Sequence, residues 1–408
     1  MIAAATIRPD LVGLLPDEAL EVLRAHFAGR SQPAYRAAQV LKWVHERLAM
    51  SFDEMTDLPK GEREALAEAF VLTAHGTAKL SRSVDGTAKH LWRLPDGELI
   101  ESVLIPTPSR LTLCISSQAG CAMACTFCAT GWAGYRRQLS AGEIVAQYRQ
   151  ARRWAAENGY GEITNIVFMG MGEPLMNPKA VFPTLAILNR AYAVGARRIT
   201  VSTVGVVPGI VRMAEMPEQY RLAVSLHAPT HELRQKLIPL EKKYPLPELL
   251  EALRKFDEAG GKRITFEYVM IDGVTDLPEL IDPLAELVDA LRAFDEAGGK
   301  RITFEYVMID GVTDSNPLAD ELARLIREFH SFVNLIPFNP IPETEWRPST
   351  PERLRGFAAR LEQRGISAFV RAPRGRDIAA ACGQLKAEAT QGRAPVQITP
   401  RAVEKTAR

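Results

Sequence analysis

The sequence predicts an α/β fold: a partial (β/α)6 barrel with an N-terminal helical accessory domain and a short β extension. Three observations carry this. Residues 1–78 repeat apolar side chains at helical spacing. Residues 79–110 switch to short strand-like runs broken by Asp-Gly turns. Residues 111–385 alternate apolar strand-like runs with amphipathic helical runs, the pattern of parallel βα units.

In the first region Pro16-Asp17 opens the run EALEVLRAHF. A second run, YRAAQVLKWVHERLA, sets Ala38, Leu41, Val44 and Leu48 near helical spacing, and FDEMTDLPKGEREALAEAF gives a turn and a third helix. Such a module either packs or binds RNA, and its pattern leaves both open. In the second region Lys79–Ser83 and His90–Leu94 flank Asp85-Gly86, and Pro95-Asp96-Gly97 precedes Leu99–Ile105, which reads as a β-meander. Glu101 sits in the last of these strands, and alternation does not decide whether it faces solvent.

The barrel strands read as LTLCIS, ITNIVFMG, RITVSTVG, RLAVSLHA, RITFEYVMI and FVNLIPFNP, with helices such as AGEIVAQYRQARRWAAE between them. Chemistry in such folds gathers at the C-terminal ends of strands. Cys121, Gly172, Glu173, Ser202, His227 and Asn339 fall there. The strand RITFEYVMI occurs twice, because residues 256–276 and 294–314 are identical over 21 positions. Solenoid repeats drift and come in threes or more. Two identical copies read instead as a recent tandem duplication, an assembly artefact or a constructed sequence. One copy completes six strands; the other either adds a seventh or is extruded. The stretch 386–408 has little apolar periodicity and reads as a disordered tail.

The 408 residues carry a net charge of +1 with 47% hydrophobic and 24% charged side chains, an ordinary soluble composition without a global nucleic-acid signature. No apolar run is long enough for a membrane span, and the N-terminus has no signal-peptide pattern, so a cytoplasmic protein is expected. Five cysteines, three of them in one loop, suit a reducing compartment better than a disulfide scaffold.

That loop, Cys121-Ala-Met-Ala-Cys125-Thr-Phe-Cys128, has the spacing C-x3-C-x2-C. Structural zinc takes four ligands, usually as two pairs, and ordinary ferredoxin clusters take four cysteines. Three thiolates suggest a [4Fe-4S] cluster with one iron open to a small molecule; the other reading is zinc completed by a distant His or Cys. The turn Gly170-Met171-Gly172-Glu173-Pro174 follows an apolar strand, and its glycines allow close backbone approach. Cys382 follows a basic stretch with Arg371, Arg374 and Arg376, a setting that activates a thiol, whereas Cys114 reads as structural by default.

The cysteine loop resembles the signature of the radical S-adenosylmethionine (SAM) superfamily, and the MGMGEP turn resembles its GGEP motif with a Met inserted between the glycines. The whole chain, from YRAAQVLKW and FDEMTDLPK through FMGMGEPLMN, TVSTVGVVP, AVSLHAP and NLIPFNP to RGRDIAAACGQL, resembles the RlmN family of dual-specificity 23S rRNA and tRNA adenine-C2 methyltransferases. Ordinary members have a single EYVM segment. The resemblance implies a radical-SAM barrel whose [4Fe-4S] cluster is held by Cys121, Cys125 and Cys128. It implies two SAM molecules per turnover: one methylates Cys382, and reductive cleavage of the other gives a radical that takes hydrogen from that S-methyl group. The methylene adds to the adenine, Cys114 resolves the adduct through a transient disulfide with Cys382, and Glu101 accepts a proton. Gly172, Glu173, Ser202, Ser225, Leu226, His227 and Asn339 match the family's SAM contacts. The implied partners are 23S rRNA, tRNA and an electron donor such as flavodoxin, with a monomeric chain and no membrane. Arg136-Arg137 and Arg371 to Arg376 are the expected phosphate contacts. The rival readings are a Cfr-like adenine-C8 methyltransferase and an inactive RNA-binding protein that keeps a cluster.

Overall fold

The computed structural model describes residues 8–260, 263–267, 283, 286–287, 302–311, 313–326, 331–339, 347–371, 374–380 and 384–385. Cys382, the remainder of the two repeated segments and the stretch 386–408 lie outside the described residues.

Three helices, Pro16–Gly29, Tyr35–His45 and Lys60–Ala69, open the chain and close their apolar stripes on a core of their own around Leu23, Phe27, Val40, Val44, Phe52, Met55 and Leu66. In the second helix the buried stripe is Ala37, Val40 and Val44, with Ala38 exposed and Leu41 half-buried. The expected face is therefore displaced by one position at Ala38 and Leu41, while Val44 and Leu48 are buried as expected. Both stripes satisfy a 3.6-residue period, and packing against Pro16–Gly29 selects between them. Arg149, fully buried in the helix Ala141–Glu157, ties this region to the barrel: Nε donates to the Val44 carbonyl at 3.3 Å and Nη1 to that of Thr73 at 3.4 Å.

Strands β1 (Gly76–Arg82), β2 (Ala88–Arg93), β3 (Leu99–Thr107) and β4 (Arg110–Cys114) form the antiparallel meander. Its tight turns hold Gly86 at φ +83° and Gly97 at φ +89°, the left-handed conformation that Asp-Gly pairs supply. A separate ribbon follows, β5 (Gln118–Gly120) against β6 (Tyr135–Gln138). Then β7 (Asn165–Phe168), β8 (Ile199–Thr203), β9 (Arg221–Ser225) and β10 (Ile264–Glu267) run parallel, with β7 pairing to β4. Meander and barrel wall are thus one eight-stranded sheet in the order β1-β2-β3-β4-β7-β8-β9-β10. A second parallel sheet holds β11 (Ile302–Met308), β12 (Ser331–Pro337) and β13 (Ser367–Val370).

β10 and β11 come from the two copies of the repeated segment. Of the two fates open to the extra copy, the chain takes the strand. β10 pairs with β9 and β11 with β12, and the two lie side by side with no ladder between them among the described residues. Helices including Ala141–Glu157, Pro178–Arg190 and Leu246–Glu258 bury their apolar faces on the wall in one continuous core. Among the described residues no helix is long and apolar enough to cross a membrane.

Candidate active site

The ribbon β5–β6 clasps the cysteine loop at its base. The Cys121 N–H donates to the Gly134 carbonyl at 3.0 Å, and Gly120 sits at φ +76°, where an added Cβ would stand 1.9 Å from that same oxygen. Ala124, at φ +52°, bends the loop, and the Thr126 N–H donates to the Leu237 carbonyl at 3.1 Å. The three thiols stand in an apolar shell of Met123, Ala228, Leu233, Leu237 and Ile238, with Phe127 and Met176 beside them. Burial pushes the Cys121 thiol up to about 12, with Cys128 and Glu173 adding to the shift. Burial likewise raises Cys125, helped by Cys128 and Cys121. Cys121 and Cys125, buried in an apolar shell, need a positive centre to lose their protons, which is how a metal cluster binds. The donor set fits a [4Fe-4S] cluster, in which each thiolate meets a different iron. Among the described residues no three or more His, Cys, Asp or Glu side chains are gathered closely enough to hold a single ion.

The MGMGEP turn crosses directly over the link between β4 and β5. A Cβ on Gly170 would stand 2.6 Å from the Ile115 carbonyl oxygen. Gly172 sits at φ +101°, and its added Cβ would stand 2.5 Å from that of Gln118. Here the glycines accommodate the protein's own strand link. Glu173 is 3% exposed; its Oε1 accepts from the Leu175 N–H at 3.0 Å and its Oε2 from the Val204 N–H at 2.9 Å. Burial nevertheless pushes it up to about 7.

At the end of β9, Ser225 Oγ donates to Glu267 Oε2 at 3.2 Å. His227 is buried at φ +59°, and burial, then the Arg234 charge, lowers it to about 3, so its imidazole is neutral near pH 7. The ends of β8 and β9 are drawn together by Arg234, 1% exposed, whose guanidinium donates to the carbonyls of Val204 at 2.7 Å, Ser225 at 3.1 Å and Leu226 at 3.1 Å, and pairs with the fully buried Glu241. Ser202 is half-buried on β8 beside Ala223.

Across the meander, Cys114 on β4 stands opposite Val103 on β3, and Val103 opposite Lys89 on β2. Paired residues share a sheet face, as do residues two apart on a strand, so Cys114, Lys89 and Glu101 all lie on one face. Glu101 is 3% exposed, and its Oε1 is 2.8 Å from Lys89 Nζ. Cys114 is buried as well. Ser116 Oγ donates to the Glu101 carbonyl at 2.6 Å and accepts from the Met171 N–H at 2.8 Å, which links β3 to the MGMGEP turn.

The sequence flanking Cys382 is placed on both sides. Lys89 Nζ donates to the Ala379 carbonyl at 3.0 Å, and Thr130 Oγ1, in the helix Ala129–Ala133 after the cysteine loop, donates to that of Leu385 at 2.6 Å.

The structure thus brings Cys121, Cys125, Glu173 and His227 to one end of the sheet, with Cys114 and Glu101 on the meander's face. Asn339 follows the end of β12, where its Oδ1 accepts from Arg376 Nε at 2.9 Å. Several expected phosphate contacts are otherwise engaged. Arg137 pairs twice with Glu143 at 2.8 Å and once with Asp96 at 2.5 Å. Arg371 pairs with Glu305 at 3.2 Å, and Arg376 Nη2 donates to the carbonyls of Pro337 and Phe338 at 2.6 and 2.5 Å. These arginines meet close internal acceptors that charge counting along a sequence does not see. Sequence reasoning missed Lys89, Arg234 and Ser116. Only the polar run Ser116-Ser117-Gln118, breaking an apolar strand, carried a signal.

The profile of the radical SAM superfamily matches residues 115–282, and that of the ribosomal RNA large subunit methyltransferase N-terminal domain matches residues 14–72. The probable dual-specificity RNA methyltransferase RlmN of Gemmatimonas aurantiaca is 47% identical over 96% of this chain and 97% of its own length. The dual-specificity RNA methyltransferase RlmN of Anaeromyxobacter sp. is 43% identical over 94% of this chain and 92% of its own. The crystal structure of a radical SAM methyltransferase from Sphaerobacter thermophilus superposes with a TM-score of 0.74 at 43% identity, covering 93% of this chain and 100% of that one. With its cysteine loop, glycine turn and meander all in place, the chain belongs to the RlmN family of the radical SAM superfamily.

Proposed function

We propose that this chain methylates carbon 2 of an adenosine in 23S rRNA, at the peptidyl-transferase centre, and in the anticodon loop of tRNAs, through an S-methylcysteine intermediate. The observation that carries the reading is the placement of the cysteines. Three share an apolar shell, while Cys114 shares a sheet face with the buried Glu101 carboxylate. Carbon 2 of adenine is electron-poor and does not attack a methyl sulfonium. Bound [4Fe-4S] cluster and SAM supply the radical chemistry this carbon requires.

The chain's own residues do the rest. Cys121, Cys125 and Cys128 would hold the cluster, whose remaining iron would be open to SAM. Gly172, Glu173, Ser202, Ser225, Leu226, His227 and Asn339 would contact SAM, of which two would be used per turnover. Cys382 carries the methyl carbon and Glu101 accepts the proton lost from the adenine ring. The Cys114 thiolate then attacks the Cys382 sulfur, so that the S–S bond replaces the sulfur–methylene bond, whose electron pair passes to the product carbon and takes up a proton. The N-terminal helical domain meets RNA, and an electron donor such as flavodoxin delivers electrons to a monomeric enzyme.

The test is anaerobic incubation of the purified chain with 23S rRNA and with tRNA, followed by nucleoside mass spectrometry. 2-Methyladenosine is expected from both. 8-Methyladenosine would move the chain to Cfr-like chemistry. Unmodified RNA, bound equally by the wild type and by Cys382→Ala, would leave a cluster-bearing RNA-binding protein.

A further inference from the structure

One side chain outside the residues assigned above touches two of the proposed actors. Lys89 Nζ is 2.8 Å from Glu101 Oε1 and 3.0 Å from the Ala379 carbonyl oxygen. Its side chain is 14% exposed and that of Glu101 4%, so the pair is largely shielded from water and salt. Ala379 is three residues before Cys382 in the chain.

The segment that Lys89 grips is held against its own preference. Ala379 has φ +50°, a conformation that a side chain disfavours, and Gly375 at φ +62° opens the same short turn. Such a turn persists where its surroundings over-determine it. The meander supplies the surroundings: Asp85 Oδ2 accepts from the Gly375 N–H at 3.0 Å, and the Val84 N–H donates to Asp377 Oδ2 at 3.3 Å. A Cβ on Gly375 would stand 2.9 Å from Thr87 Cγ2, so turn and meander are in close contact. On the other side Arg376 is bound to Pro337, Phe338 and Asn339.

We propose that Lys89 is a positioning residue for the methyl transfer. One ammonium fixes the Glu101 carboxylate and the Ala379 carbonyl to each other, so the proton acceptor and the stem of the Cys382 segment move as one unit. The β extension is then the dock of the reactive segment as well as the lead-in to the barrel. The inference rests on the roles proposed above for Glu101 and Cys382.

The test is hydrogen exchange over residues 374–380, whose Ala379 and Ala380 amides donate to Arg376 and Gly375, in the full-length wild type, Lys89→Met and Lys89→Arg. Asp85→Ala serves as the reference for a loosened turn. Lys89→Met should speed exchange at least tenfold, as Asp85→Ala does, and lower RNA methylation at least tenfold. Lys89→Arg, which keeps the cation, should restore most of both, and a merely space-filling role would not give that rescue. Lys89→Gln stands in should the Met variant fold poorly. Wild-type exchange together with methylation within twofold of wild type in Lys89→Met or Lys89→Gln would overturn the proposal. Exchange needs no activity, so a wild type inactive on both RNAs would sink the functional reading and leave this measurement standing.

Discussion

The rings of His227 and Phe127 meet edge to face, with centroids 4.6 Å apart and planes at 80°. Phe127 lies inside the cysteine loop and His227 just beyond β9, so this contact joins the loop to the barrel wall. Both His227 and Ala124 of the loop hold positive φ, as does Ala379. Strained backbone thus recurs in all three segments proposed to carry the chemistry.

Removing that contact should loosen the loop more than the fold. An edge-to-face aromatic pair contributes about 1 kcal/mol beyond its burial. Phe127→Ala should therefore retain the wild-type far-ultraviolet spectrum but hold less than half the wild-type iron and sulfide after anaerobic reconstitution. Wild-type iron content and wild-type stability of the cluster towards air would show that the pair does not hold the loop.

Arg234→Ala should be the most destabilising single change near the site. It leaves Glu241 buried without its cation, which costs about 3–5 kcal/mol. Urea unfolding of the apo chain should show the loss. Arg234→Met combined with Glu241→Met should recover only part of it, because the Leu246 N–H, now 2.7 Å from Glu241 Oε1, and the carbonyls of Val204, Ser225 and Leu226 stay unpartnered.

Glu267 should make the protein less stable as pH rises. Burial, then the neighbouring Glu305 carboxylate, raises its carboxyl from the usual 4.5 to about 7. Between those values the native state keeps a proton that the unfolded chain has released, so stability is full below the lower value and falls as pH climbs to the upper one. Glu267→Gln should flatten the profile. It should match wild type near pH 4 and exceed it by up to about 3 kcal/mol at pH 8. Parallel urea titrations at pH 4.5, 6 and 8 decide this, and identical slopes in the two proteins would sink it.

Gly120→Ala and Gly172→Ala should differ in severity. The new methyl at Gly120 meets a backbone oxygen, which cannot step aside without opening the ribbon. At Gly172 it meets the Gln118 Cβ, an atom held by the β5 backbone, but from 2.5 Å where Gly120 starts at 1.9 Å. Positive φ costs an alanine about 1–3 kcal/mol at either place. Gly120→Ala should lose more melting temperature and nearly all iron binding. Gly172→Ala should bind iron yet lose the Gln118 bond to the Glu173 N–H, which is 2.8 Å long.

The strand-helix alternation, both Asp-Gly turns and the strand ends that carry Glu173 and His227 were legible in sequence, because each rests on local periodicity or turn chemistry. What was not legible depends on distant pairing. The burial of Glu101 follows from the β2–β3–β4 register, which no single strand displays. Lys89 gains its meaning from Ala379, 290 residues away. β13 is a four-residue strand, SAFV, with one buried position, too short to announce itself. The face of the second helix was ambiguous because two stripes fit one period.

The repeated strand has a consequence for reach. A closed barrel couples strand number to shear and diameter. An open arc does not, so it can lengthen by one member and keep its local pairings. Here β10 and β11 both stand between β9 and β12. A small molecule held at once by Ser225 and Asn339 must therefore reach across the ends of both β10 and β11.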